Sequence, residues 1–203
     1  MNNFAEKLTP SITTMIRMDH THVMAAFHRY KADTAAARKQ AIAEHICLAL
    51  TVHAQLEEEI FYPAMQRVLS GDQVLAKSEP EHEEMRGYIA KVRELAPEDE
   101  AFDETLMTLM RTVIHHVADE ETRLLPAAER ALSDQLANLG AQMTKRRMEL
   151  LAPHAREVAS TGARTFPAGA ATGAAIAIGG ALAFGAMVFA RAKRNVQTGR
   201  GRH

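Results

Sequence analysis

Apolar residues recur at steps of three and four through most of the first 150 positions, the signature of helices that each turn one stripe toward a core. Ile12, Ile16, His20, Val23 and Phe27 make the first stripe, behind a start signal at Thr9-Pro10-Ser11 and ending near Lys31 to Asp33. A longer helix from about Thr34 to Leu69 turns Ile42, Ile46, Ala49, His53, Leu56 and Ile60 inward, and Ser70-Gly71-Asp72 stops it. Pro63 lies inside that run, so a kink there or a fresh start after it is expected. A short helical piece is expected over 72–77, with Pro80 in the first turn of a third helix whose inward row is His82, Met85, Ile89, Val92 and Leu95. The fourth helix, from about Glu98 or Asp99 to Leu132, presents Leu106, Leu109, Val113, His116, Glu120 and Leu124. Four helices with short connections predict an all-α fold, an antiparallel up-down four-helix bundle over residues 10–132.

The chain continues past that unit. Ser133 is placed to cap an amphipathic helix from Asp134 to about Leu151 that Pro153 ends, so 133–153 reads as an extra helix or linker. No charged residue occurs from Thr165 to Ala190, and a basic tail fills 191–203. As a helix, Ala168 to Ala190 would reach about 34 Å, against a bilayer core of about 30 Å. Residues 166–190 are therefore expected to be a transmembrane or membrane-associated helix. Its small residues Gly169, Gly173, Ala177, Ala181 and Gly185 share a face of the kind that lets two helices meet, which points to a homodimer.

Composition narrows the picture. The chain is 47% hydrophobic, which supports a core, but only 5% aromatic and without Trp, a mix that favours helix over sheet. With 24 Lys and Arg against 25 Asp and Glu, the balance predicts no nucleic acid as partner. The single Cys47, flanked by Ile46 and Leu48, excludes an intramolecular disulfide and reads as a small buried residue. MNNFAEKLTP carries no basic-then-apolar export signal, so the N-terminal domain is expected in the cytoplasm, held to a membrane or, alternatively, soluble.

A duplication carries the chemistry. HAQLEEEIFYP, from His53 to Pro63, recurs as HVADEETRLLP from His116 to Pro126, and Asp19-His20 and Glu81-His82 precede the two copies. His20, His53, Glu57 and Pro63 thus recur as His82, His116, Glu120 and Pro126, offset by 62 or 63 positions. Residues four apart on a helix share a face, so each copy aims an imidazole and a carboxylate at one point. Carboxylates in a bundle core are costly unless they are neutralised or find a cation. Imidazoles and carboxylates without thiolate suit iron or manganese, with zinc possible. His115, four intervening residues before Glu120, is the alternative to His116. His22, His28 and His45 fall off the ligand positions and read as boundary or solvated residues, and Tyr62 either packs at the helix boundary or hydrogen bonds near the site. Glu58 and Glu121 either orient a ligand imidazole or join Glu59 on a solvated face.

The pattern Asp19-His20, His53-x-x-x-Glu57, Glu81-His82, His116-x-x-x-Glu120, with its trailing prolines, resembles the hemerythrin-like (HHE cation-binding) family over about Ile12 to Leu132. The resemblance implies two non-haem iron ions, Glu57 and Glu120 bridging, and His20, His53, His82 and His116 as terminal ligands. Oxygen-carrying hemerythrins have a His-x-x-x-His pair on the third helix and His-x-x-x-x-Asp on the fourth. Here Arg86 follows His82 by four, Ser78 precedes it by four, and the fourth helix has His-x-x-x-Glu. The four-His, two-Glu set is similar to that of the di-iron proteins that repair iron-sulfur clusters. The expected function is binding or reduction of a small oxidant, peroxide before oxygen or nitric oxide. A non-enzymatic sensor signalling through the C-terminal segment and a structural helical membrane-interaction protein are the alternatives.

Overall fold

The computed structural model describes residues 10–155, and all its regular elements there are helical. They are α1 (Ile12–Arg29), α2 (Ala36–Leu56), α3 (Tyr62–Val68), α4 (Gln73–Glu94), α5 (Glu100–Asp119), α6 (Leu125–Ala131) and α7 (Leu136–Leu151). Short π turns, Glu57–Phe61 and Glu120–Leu124, join α2 to α3 and α5 to α6 into two long rods. These two, with α1 and α4, form the antiparallel four-helix bundle, and α7 packs across α1 and α2 as a fifth rod.

Starts and stops follow local chemistry. Ser11 Oγ accepts from the Thr14 N–H at 3.2 Å and caps α1. Asp72 does the same for α4, accepting from the Val74 and Leu75 N–H groups at 2.8 and 3.1 Å. The turn before it contains Gly71 at φ +86°, a left-handed conformation that only glycine adopts without strain. The cap at Asp72 makes α4 one continuous helix from Gln73, so Pro80 sits inside it and not in its first turn as expected. Pro80 and Ala76, whose carbonyl it leaves unbonded, are both exposed, so that carbonyl can face water. Ser133 likewise caps nothing: α7 starts at Leu136, after a turn, without a side-chain cap.

The proline effect arrives upstream of the prolines. Pro63 and Pro126 offer no N–H to the carbonyls four residues back and would crowd them. The ladder widens ahead of each, so that Tyr62 N–H bonds Glu57 O and Leu125 N–H bonds Glu120 O, five residues apart. Each π turn opens on the glutamate of the repeated motif.

Two apolar clusters fill the interior and the repeated polar residues lie between them. Ile12, Ile16, Leu56, Phe61, Met65, Leu124 and Leu125 belong to one cluster, with Leu139, Met143 and Leu151 of α7. Val23, Phe27, Ile42, Ile46, Met85, Ile89, Phe102, Leu106 and Val113 belong to the other. Cys47 is fully buried in the second cluster, where burial pushes its thiol up to about 12. Fully burying each such side chain contributes roughly 1.5–3 kcal/mol, so the clusters hold the polar layer in place. Among the described residues no helix is long and apolar enough to cross a membrane. The membrane segment expected over 166–190 and the basic tail lie outside them.

Candidate metal centre

The polar layer consists of His20 from α1, His53 from α2, His82 from α4, His116 from α5, and Glu57 and Glu120 from the first positions of the two π turns. All six are at most 5% exposed, and both glutamates are fully buried. His20, His53, Glu57 and Glu120 bring one ligand atom each within 4.8 Å of one another, and so do Glu57, His82 and His116. Glu57 belongs to both groups, which makes two adjacent donor sets with a shared carboxylate. His116 faces this pocket and His115 is exposed, as the repeat register indicates.

Every one of the four rings is turned by a carboxylate on its outer side. His20 Nδ1 lies 2.9 Å from Glu121, His82 Nδ1 3.0 Å from Glu58, His116 Nδ1 2.8 Å from Glu81, and His53 Nδ1 3.4 Å from Asp19. The duplication explains the pairing. Asp19 and Glu81, each one residue before the motif's first histidine, serve the second histidine of their own repeat. Glu58 and Glu121, each one residue after the inward glutamate, serve the first histidine of the other repeat. With Nδ1–H donated outward, each Nε2 presents a bare lone pair to the interior.

Those lone pairs face one another and the carboxylates. The Nε2 atoms of His82 and His116 lie 3.0 Å apart. His53 Nε2 is 3.1 Å from Glu57, and His20 Nε2 is 3.3 Å from Glu120. His20 Nε2, His53 Nε2, Glu57 Oε1 and Glu120 Oε2 are buried and have no hydrogen-bond partner among the described residues. Left unprotonated such a cluster of acceptors is repulsive, and a cation at its centre would satisfy all of them at once.

On protein charges alone the same demand shows in the titration. Burial, then the neighbouring Glu120 carboxylate, pushes Glu57 well above the usual range, because two such charges cannot share a buried site. Burial opposes the charge on His20 too, yet the Glu120 carboxylate beside its Nε2 and the Glu57 charge outweigh it and raise the imidazole to about 9. Burial drives His53 down to about 4 and also lowers His82. The pocket draws positive charge toward its carboxylates and keeps two of its imidazoles neutral, which is the form that binds a metal ion.

Of the two readings of Tyr62, the structure has the hydrogen bond near the site. Five residues from Glu57 on an α-helix would be about 140° off its face, but the π turn rotates Tyr62 inward. Its hydroxyl lies 3.0 Å from Glu120 Oε1, 3.3 Å from His82 Nε2 and 3.4 Å from Glu57 Oε2. Burial, then the two carboxylates, holds that phenol well above its ordinary range, so it stays a proton donor. His22 and His45 correct the expectation: both are buried, with their Nε2 atoms 2.7 Å apart, as a pair outside the donor sets. His28 is exposed. Glu58 and Glu121 lie against imidazoles, as one alternative had it, while Glu59 faces outward and pairs with Arg146.

A family model described as the Hemerythrin HHE cation binding domain matches residues 11–128. A relative named DNA nickase, from Nostoc sp. (strain PCC 7120 / SAG 25.82 / UTEX 2576), is 28% identical over 131 residues, 64% of this chain and 37% of the relative. The chain thus spans little more than a third of that relative's length. A crystal structure of a Hemerythrin HHE cation binding domain-containing protein from Mycobacterium kansasii superposes with a TM-score of 0.61 at 14% identity, covering 76% of this chain and 96% of the other, a likeness of fold.

Proposed function

The chain belongs to the Hemerythrin HHE cation binding domain family, and from that premise we propose that its polar layer holds two iron ions and binds or reduces a small oxidant, peroxide before oxygen or nitric oxide. One ion would sit on His20, His53, Glu57 and Glu120, and the other on His82, His116 and Glu57. The observation that supports this most is the orientation of the four rings, each with its Nδ1 on a carboxylate and its Nε2 turned into one buried pocket. Oxygen and nitrogen donors without thiolate suit iron and manganese, and seven positions on two ions leave room for an outside ligand.

When bound, iron supplies Fe(II)/Fe(III) cycling, and the rest is done by the chain. Val23, Leu50, Ala54, Met85, Ile89 and Val113 line a small apolar cavity beside His20, His53, His82 and His116. Asp19, Thr51 and Arg86 also line it, and the cavity has room for a small molecule and none for a large reductant. Tyr62 holds a proton 3.0 Å from Glu120, where it can donate to an oxygen bound in the pocket or keep the carboxylate in place.

Anaerobic loading with Fe(II), followed by peroxide, tests the reading. Peroxide consumption together with a new ligand-to-metal absorption is the expected result. Protein that takes up no iron and gains no absorption with peroxide or azide would overturn it, and ligand binding without consumption would point to sensing in place of turnover.

A further inference from the structure

We infer that Arg147, reaching in from α7, is a positioning residue for the cation held by His20 and His53, so that the fifth rod completes one half of the metal centre. This rests on the proposed metal reading and goes beyond it.

The four carboxylates that turn the imidazoles are each met in turn by a basic side chain. Arg17 bonds Glu121 at 3.1 Å, Arg86 bonds Glu58 at 2.8 Å, and Lys77 lies 3.2 Å from Glu81. All three come from α1 or α4, and their side chains are 35–45% exposed. Exposed pairs of this kind contribute little to position, because solvent screens them and either side chain is free to move.

Asp19 differs in length, burial and partner. It is one methylene shorter than the glutamates at the other three places, and its distance to His53, 3.4 Å, is the longest of the four. Its side chain is 12% exposed, and it is gripped by both terminal nitrogens of Arg147, itself 8% exposed, with Nη1 to Oδ1 at 2.8 Å. A planar fork on a buried carboxylate fixes both its charge and its angle, which a lysine does not do. Without Arg147, Asp19 would face only a long contact to His53 and be free to rotate away from it.

The duplication shows what this arrangement adds. At the matching place in the second repeat, Glu81 is served by Lys77, one turn back on its own helix. The His82 and His116 half is therefore finished within the four-rod bundle. The His20 and His53 half needs α7, whose inward row Leu139, Met143, Arg147 and Leu151 carries a charge among apolar residues. The two halves are inequivalent, and carboxylates that orient ligand imidazoles typically change metal affinity by about 10–100-fold when lost.

The test uses full-length, metal-stripped protein titrated anaerobically with Fe(II), with bound iron measured after equilibrium dialysis. Wild type is expected to take two ions per chain. Arg147→Met should hold one ion as before and bind the second about 10–100-fold more weakly, and Arg147→Lys should fall between. Arg146→Met is the control, because Arg146 ties the same helix to the bundle through Glu59 at 2.7 and 3.0 Å and does not touch Asp19. It should keep both ions and, because that pair is exposed, leave the melting temperature of stripped protein close to wild type. If Arg147→Met does not fold, Arg147→Lys decides. Two unweakened ions in the Arg147 variants, or equal loss in Arg146→Met, would overturn the inference. Wild type that binds no iron would instead overturn the metal reading beneath it.

Discussion

Tyr62 and Leu125 occupy matching places after the two π turns, and both are fully buried, yet only Tyr62 brings an oxygen into the donor pocket. The duplicated halves are thus alike in their donor atoms and unlike in what surrounds them. Removing that oxygen isolates its contribution. Tyr62→Phe should lower the stability of metal-stripped protein by about 1.5–3 kcal/mol, the worth of a hydrogen bond to a charged group, while iron content stays at the wild-type level. Urea unfolding with parallel metal analysis measures both, and an iron loss as large as that of a ligand variant would contradict it.

Glu57→Gln should separate the metal-free and metal-loaded states. Without a cation Glu57 is pushed toward its protonated form by burial and by Glu120, and an amide imitates that form. Stability of stripped protein should then change by no more than about 1 kcal/mol. Bound metal at 100 to 1,000 times its dissociation constant stabilises the wild type by about 3–4 kcal/mol, and that increment should disappear in the variant. Melting temperatures measured with and without Fe(II) check it; an undiminished increment would show that Glu57 is no ligand.

Far from the metal layer, Asp103 ties α5 to the start of the bundle by accepting from Lys39 at 2.8 Å and from the Tyr30 hydroxyl. Partial burial raises its carboxyl, but the hydrogen bonds from Lys39 and Tyr30 outweigh that and lower it. A carboxyl depressed on folding contributes stability above its unfolded value, about 4, and that contribution fades as pH falls through the folded value. Asp103→Asn should cost about 1–2 kcal/mol at pH 7 and flatten the loss of stability below about pH 4. Denaturation of stripped protein from pH 7 to 3 reads both, and parallel curves for variant and wild type would contradict it.

Gly140 sets how closely α7 can lie on the start of α1. A Cβ there would stand 2.2 Å from the Pro10 carbonyl oxygen, which is backbone and cannot swing aside. Gly140→Ala should therefore push the helix outward and cost about 1–3 kcal/mol, despite the better helix propensity of alanine. Chemical denaturation measures the change, and unaltered or increased stability would show that this contact yields freely.

The sequence made the bundle legible because each helix has a clean inward row and the motif occurs twice at nearly one offset. The six inward donors were legible for the same reason: His20, His53, His82 and His116 fall on apolar stripes, and Glu57 and Glu120 stand one turn beyond a histidine. Other features depend on geometry that an ideal helix conceals. Tyr62 is brought to the site by a π turn, and the only cue was a proline one residue after it. Asp19 and Glu81 stood in the motif, but their partners are 34 and 35 positions away on other helices. Arg147 did leave a signal, a charge on the apolar row of Leu139, Met143 and Leu151. Pro80 misled because a strong cap at Asp72 starts its helix seven residues earlier than a proline-first helix would begin.

Iron counted per full-length chain, with the absorption spectrum recorded before and after peroxide, tests the two-cation pocket most directly. Two Fe per chain and a new charge-transfer band, both lost together in Glu57→Gln, are the expected result. Protein that binds no iron under anaerobic loading, or binds it equally well after that substitution, would contradict it.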